Sequence, residues 1–351
     1  MKAKFTINDR EIGSGFSPYI IAELSANHNG SFENAKRIIQ KAKIAGADAV
    51  KLQTYTADKL TLDNNSEEFM IRGGLWDGKS LYELYQEASM PWEWHEPLFK
   101  EAKKIGITIF SSPFDTTAAD LLADLNAPAY KIASFEAIDL PLIKYVAGIG
   151  KPMIISTGMA NDEEISEAIA AAHDGGCKEV AILHCVSGYP ALPEEYNLKT
   201  IADMIKRFGL VSGLSDHTLD NTTAITSVAM GASIIEKHFT LDRDAGGPDD
   251  SFSLEPQELA QLCVDARTAW SALGGVNYGR TNSELPNVKF RRSLYYKETL
   301  KKGTVLSGSH FRSVRPGYGL PPKYSEVILG KTLLVDVSAH TPVSLGHFEI
   351  L

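Results

Sequence analysis

The chain has 351 residues, 44% hydrophobic and 23% charged, the proportions of an ordinary globular protein with room for one large domain and one small. A net charge of −9 excludes a surface that tracks a nucleic-acid backbone. No apolar run approaches the ~20 residues of a membrane span. The opening segment MKAKFTINDREIGSGFSPYIIAEL reads as no signal peptide, and three widely spaced cysteines, Cys177, Cys185 and Cys263, read as reduced thiols, so a cytoplasmic protein is expected.

Short apolar runs alternate with helical patterns from the start. PYIIAEL (18–24) precedes the helix-like SFENAKRIIQKAKIAGA. DAVKLQT (48–54), GITIFSS (106–112), AYKIAS (129–134), PMIIST (152–157), VAILHC (180–185), GLVSGLS (209–215) and ASIIEKH (232–238) follow, with helical patterns over 115–125, 139–147, 162–173, 197–207, 220–230 and 256–272. Eight strand-then-helix units over about 260 residues predict a (β/α)8 TIM barrel. The alternative, a doubly wound open sheet, finds no phosphate-loop or GxGxxG signature. Residues 55–91, with GGLWDGKSLYELYQEASMPWEWH, are too long for an ordinary loop after a strand, and such loops are where barrel enzymes hold substrates. The barrel is expected over 1–274 and a turn-rich linker over 275–291. A small domain of short strands and turns is expected over 292–351, near the lower limit for independent stability and packed on the barrel or on a neighbouring subunit.

Chemistry in such a barrel gathers at the C-terminal ends of the strands. Those ends carry, in order, Glu23; Lys51 and Gln53; Ser111 and Ser112; Lys131, Ser134 and Glu136; Ser156 and Thr157; Cys185 and Ser187; Ser215, Asp216 and His217; Glu236, Lys237 and His238. A polar group at the same end of all eight strands points to one shared active site. His217 and His238, on neighbouring strand ends, are positioned to converge on a divalent ion with open coordination sites, and Glu236 has the parity to hold a water on that ion. Lys51 and Lys131 are costly to bury unless an anion pairs with them. With Ser112, Ser134, Ser156 and Ser215 they suggest a phosphate and carboxylate cradle; internal ion pairs with Glu23 or Glu136 are the competing reading. The lone His28 stays open between site and scaffold, and His184 reads as structural.

IAELSANHNG, DAVKLQTYTADKL, FSSPFD, YKIASFE, ISTGMA, GLSDHT and IIEKHFTLDRDAGGPDDSFS together resemble the sialic acid (nonulosonate) synthase family, and VRPGYGLPPK resembles its C-terminal antifreeze-like SAF domain, of β-clip type. The insertion and CVSGYP are most similar to the family's pseudaminic acid synthases. The resemblance implies condensation of phosphoenolpyruvate (PEP) with the open-chain aldehyde of an N-acetylated amino sugar, 2,4-diacetamido-2,4,6-trideoxy-altrose. Water adds at C2, and phosphate leaves by C–O cleavage of a tetrahedral intermediate. It also implies a divalent cofactor on His217 and His238, Mn²⁺ with Mg²⁺ or Co²⁺ as alternatives. PEP contacts are implied for Lys51, Ser112, Lys131, Ser134, Ser156, Ser187 and Ser215, and a reaction centre lined by Glu23, Gln53 and Glu136. Sugar contacts are implied for Tyr189, Asp249, Phe290 and Arg315, the last reaching into the barrel of a swapped homodimer partner.

Departures from the family pattern bear on the sugar. Val186 and Ser112 stand where relatives often carry Thr. Both leave the cradle intact and argue against direct transfer of the sialic-acid substrate; the alternatives are N-acetylneuraminic or legionaminic acid as product and two other classes, a pyruvate-dependent metal aldolase and a non-catalytic carbohydrate-binding protein. Trp76, Trp92 and Trp94 in the insertion either wall a 6-deoxy sugar or pack helices.

Overall fold

A computed structural model describes residues 4–349, and the chain divides into two units, 1–274 and 275–351. In the first unit β1 (Phe5–Ile7) and β2 (Arg10–Ile12) form an antiparallel hairpin. Eight parallel strands then close a barrel: β3 (Tyr19–Glu23), β4 (Ala49–Thr54), β5 (Thr108–Pro113), β6 (Tyr130–Ile132), β7 (Met153–Ser156), β8 (Val180–Cys185), β9 (Val211–Asp216) and β10 (Ile234–His238), with β10 pairing back to β3. Each overlaps one of the eight expected segments, so the TIM barrel is as the sequence predicts. The hairpin was not anticipated, because strands of three residues are too short to show a periodicity.

The helix α1 (Phe32–Ala45) starts at Ser31, whose side chain accepts from the Asn34 amide, and stops at Gly46. After β4 come the short α2 (Ala57–Leu60) and α3 (Leu81–Ala88), the latter opened by a Ser80–Glu83 capping box. The barrel layer resumes with α4 (His95–Ile105), α5 (Thr116–Asp124), α6 (Leu140–Ala147), α7 (Asp162–Asp174), α8 (Lys199–Phe208), α9 (Thr222–Ala229) and α10 (Pro256–Leu273). No helix among the described residues is long and apolar enough to cross a membrane.

Strand side chains alternate between the two faces of the wall. The inward set at the N-terminal end is apolar: Tyr19, Ile21, Ala49, Phe110, Ile154, Leu183 and Ile234 form one buried cluster, and Phe5, Ile7 and Ile12 of the hairpin pack into it. Each large side chain buried there stabilises by roughly 1.5–3 kcal/mol. The same inward parity, carried toward the C-terminal end, reaches Glu23, Lys51, Gln53, Ser112, Lys131, Ser156, Cys185, Ser215, Glu236 and His238. One alternation thus supplies both a dry floor and a polar top.

In the second unit β11 (Ser293–Tyr296) pairs antiparallel with β12 (Phe311–Val314), extended by bridges such as Leu300–Val337 and Leu333–Phe348. Leu294, Tyr296, Phe311, Ile328, Val343 and Phe348 belong to its core.

Candidate active site

The strand register sets the inward polar groups side by side. Glu23 is paired with Lys51 on one neighbour and His238 on the other; Gln53 pairs with Ser112; Ser215 pairs with Glu236 and with Cys185. At the centre, Lys51 Nζ lies 2.7 Å from Glu23 Oε2, 3.4 Å from Glu236 Oε1 and 3.3 Å from Ser112 Oγ. Lys131 Nζ is 3.9 Å from the same Glu236 oxygen and donates to the Ile132 carbonyl at 3.0 Å. Both lysines are almost fully buried, at 3% and 1% exposure.

Their electrostatics diverge. Burial works against the Lys51 charge, but the two carboxylates it touches outweigh that and hold its pKa above the ordinary value. Lys131 has weaker company, and burial lowers it to about 8. Glu236 is penalised by burial yet held below the usual carboxylate range by Lys131 and Lys51. Burial pushes Glu23 upward against the pull of Lys51. Glu136, just beyond β6, is pushed up to about 7, again chiefly by burial. Two ammonium groups and two carboxylates at this spacing balance one another, so the internal ion pair with Glu23 exists alongside a cluster of hydroxyls able to receive an anion. Ser187 Oγ donates to Ser134 Oγ at 2.9 Å, Ser215 Oγ to Glu236 Oε1 at 3.3 Å, and Gln53 Nε2 to Glu23 Oε1 at 2.9 Å. Ser156 Oγ, Glu136 Oε2 and Glu236 Oε2 are buried without a protein hydrogen-bond partner. Buried polar groups are rarely left so.

The imidazoles of His217 and His238 meet edge to face beside this cluster, with ring centroids 5.4 Å apart and planes at 65°. His217 Nδ1 donates to the Val186 carbonyl at 2.7 Å, which leaves Nε2 as the nitrogen that meets the Cys185 thiol or an ion. His238 is kept neutral well below its usual pKa, mainly by burial, and its Nδ1 has no hydrogen-bond partner. Burial works against a charge on His217, but the Cys185 thiol outweighs it and raises the His217 pKa; a divalent ion requires the neutral imidazole, so it would compete with Cys185 for that ring. Among the described residues no group of three or more His, Cys, Asp or Glu side chains is disposed to hold a metal. The donor set is therefore two imidazoles, a pair that fits an ion completing its shell with substrate or water oxygens. Glu236, assigned by parity to a water on that ion, has its Oε1 committed to Lys51 and Ser215.

Loops complete the rim. The Tyr189 ring lies 4.5 Å from that of His217 and 5.4 Å from that of Phe252. Asp249 accepts from Ser25 and lies 3.9 Å from His238 Nδ1. In the insertion, residues 70–80 fold back on themselves: Met70 bridges Ser80, and the Ile71 amide donates to the Lys79 carbonyl at 2.9 Å. The turn carries Trp76, whose Nε1 donates to the Pro248 carbonyl at 2.9 Å and whose ring is 5.8 Å from that of Tyr189. Trp94 instead packs edge-on against His28 and Phe32. Phe290 and Arg315 belong to the second unit, where both are exposed; Arg315 borders a cleft of about 570 Å³ with Tyr295, Lys297, Arg312 and His340.

Residues 38–278 match the NeuB family, and residues 291–349 match the SAF domain. The chain belongs to the NeuB family. The pseudaminic acid synthase of Campylobacter jejuni (serotype O:2) is 43% identical to it over 94% of this chain and 96% of its own length. The pseudaminic acid synthase of Helicobacter pylori is 41% identical over 95% and 98%. Among solved structures, the N-acetylneuraminic acid synthetase of Leptospira borgpetersenii, crystallised with citrate, superposes with a TM-score of 0.74 at 30% identity, covering 82% of this chain and 96% of that one.

Two further residues of this NeuB barrel, Cys185 and Ser25, adjoin the site without a role predicted from sequence. Cys185 points inward beside His217 and Ser187. Burial raises its thiol, but His217 and Lys131 bring it net downward. The signal was its parity with Leu183 and Ala181, outweighed by the habit of cysteine to be inert core. Ser25 links Gln53, 3.2 Å away, to Asp249. It holds a positive φ of 48° just past β3, a conformation that no sequence pattern announces. Lys237 is the converse case: it sits between inward neighbours yet faces outward, donating to Asp216 Oδ2 at 3.0 Å and to the Thr218 and Asp220 carbonyls at 2.7 Å each. His184 is likewise outside the site, its Nε2 paired with the Tyr196 carbonyl at 2.5 Å.

Proposed function

We propose that this chain condenses phosphoenolpyruvate with open-chain 2,4-diacetamido-2,4,6-trideoxy-altrose to give pseudaminic acid and phosphate. The observation that carries the reading is a pair of buried lysines sharing one carboxylate oxygen beneath two adjacent imidazoles. It is supported by identity above 40% to pseudaminic acid synthases over nearly the whole chain.

In this reading Lys51 and Lys131 bind the phosphate and carboxylate of PEP, helped by the hydroxyls of Ser112, Ser134, Ser156, Ser187 and Ser215. The sugar lies above, against Tyr189 and Asp249, with its aldehyde toward the imidazoles. C3 of PEP is a weak nucleophile, so the aldehyde must be polarised. A divalent ion on His217 and His238, Mn²⁺ before Mg²⁺ or Co²⁺, supplies that Lewis acidity when bound. As C3 bonds to the aldehyde carbon, positive charge develops at C2, next to the carboxylates of Glu23 and Glu236. Water adds at C2 and gives its proton to Glu136, whose raised pKa and unpartnered Oε2 suit a base working near neutrality. The C–O bond to phosphate then breaks, the oxygen leaves with its electron pair, and the C2 hydroxyl gives its proton to the departing phosphate as it becomes the ketone, while the alkoxide formed from the aldehyde takes up the proton held by Glu136. The lysines that bind the phosphate also stabilise it as it departs. The same reading makes the protein a cytoplasmic homodimer in which Phe290 and Arg315 grip the sugar, Arg315 reaching the barrel of a second copy.

Phosphate release with PEP and Mn²⁺, offered the altrose sugar, its manno-configured isomer and N-acetylmannosamine in parallel, tests the assignment when product mass is read from the same tubes. Turnover with the altrose sugar alone is expected. Preference for a manno sugar overturns the substrate; no phosphate from any of them overturns the reaction.

A further inference from the structure

Trp76 reaches the site from the insertion, its ring against that of Tyr189. Its position follows from the turn that bears it. Gly73, Gly74 and Gly78 hold φ values of 80°, 75° and 84°, where a side chain at each would be strained although none would meet a neighbour. The glycines are there for backbone freedom, and what they achieve is a reversal tight enough to present Trp76 toward the loop after β10. Asp77 secures the turn by accepting from the Gly73 amide at 2.6 Å. The only polar atom of the indole is then consumed by the Pro248 carbonyl, one residue before Asp249.

What remains of Trp76 is an apolar face. It continues a line of rings: Trp76 to Tyr189 at 5.8 Å, Tyr189 to His217 at 4.5 Å, and Tyr189 to Phe252 at 5.4 Å. A sugar whose aldehyde lies at the imidazoles extends its far carbons along this line. At the Trp76 end it meets no hydrogen-bond donor or acceptor from the indole. A methyl group is well placed there, whereas a hydroxyl loses its water without replacement.

We propose that Trp76 is a specificity-determining residue of the sugar site, selecting a C6 methyl over a C6 hydroxymethyl group. The inference rests on the substrate class proposed above. A hydrophobic wall discriminates against an added hydroxyl by at most about 100-fold, and that sets the scale of the expected effect.

The test compares wild type, Trp76→Ala and Trp76→Phe, each with Mn²⁺ and saturating PEP. The sugars are 2,4-diacetamido-2,4,6-trideoxy-altrose and its 6-hydroxy counterpart. Wild type is expected to favour the 6-deoxy sugar by roughly 10- to 100-fold in kcat/KM. Trp76→Ala should collapse that ratio to within about threefold, through KM for the 6-deoxy sugar, with KM for PEP unchanged. Trp76→Phe keeps an aromatic face but loses the donor to Pro248, and should retain most of the preference. Equal losses on both sugars, or a PEP KM that rises in step, overturn the proposal and leave Trp76 a loop anchor. Should wild type turn over only a manno-configured sugar, the substrate reading falls by itself; the same variants are then compared on that sugar and its 6-hydroxy or 6-deoxy counterpart, and an unchanged ratio overturns the role of Trp76 independently. A wild type inert with PEP and every sugar overturns both.

Discussion

Lys237 and His238 are adjacent in sequence and lie on opposite faces of the barrel wall. His238 meets His217 inside; Lys237 meets Asp216, the residue before His217, outside. The ion pair and the imidazole pair therefore sit back to back across β9 and β10. Lys237 also ties down the Thr218 and Asp220 carbonyls of the loop that leaves His217.

Replacing Lys237 with Met leaves Asp216 buried without its counter-charge, a loss of about 3–5 kcal/mol. For a unit of this size the unfolding temperature should fall by about 6 °C or more. Adding Asp216→Asn removes the stranded charge and should restore part of the loss. A double variant no more stable than Lys237→Met would show that the lysine acts through its carbonyl contacts instead.

The raised Glu136 and lowered Lys131 set opposite limbs of a pH profile. Glu136 must be ionised to take a proton, so kcat/KM for PEP should climb with pH through about 7. Lys131 must be protonated to bind an anion, so the same parameter should fall through about 8. A narrow bell with its maximum between those values is expected, and Glu136→Gln should flatten its ascending side in whatever activity survives. A wild-type profile flat from pH 6 to 9 would remove both groups from these roles.

Gly158, after β7, has φ +48°, and a Cβ there would lie 2.4 Å from Ser134 Cβ and 2.9 Å from Ser187 Oγ. Gly158→Ala should force that hydrogen-bonded serine pair apart. Strain and displacement on the order of 1–3 kcal/mol correspond to a roughly 5- to 150-fold rise in KM for PEP. An unaltered KM for PEP would mean that the two hydroxyls do not contact it.

Much of the site was legible because a strand needs only parity to decide which face a side chain takes. Glu23, Lys51, Gln53, Lys131, Glu236 and His238 all fall on the inward beat, and the closed barrel brings them together. The partition within that set was not legible. Whether Lys51 or Lys131 holds the tighter carboxylate depends on ångström-scale offsets between neighbouring strands. Long-range loop contacts were equally hidden: nothing near Trp76 in sequence points to Pro248, 172 positions away. The hairpin of residues 5–12 escaped because its apolar residues are too few to form a pattern.

Phe5, Ile7 and Ile12 of that hairpin pack into the apolar floor at the N-terminal end of the barrel, opposite the polar groups. The two lysines sit deeper along their strands than the two imidazoles. In the reaction proposed above, this depth puts the PEP anion beneath the sugar. How far along its strand each charged residue stands thus sets which of the two substrates lies beneath the other.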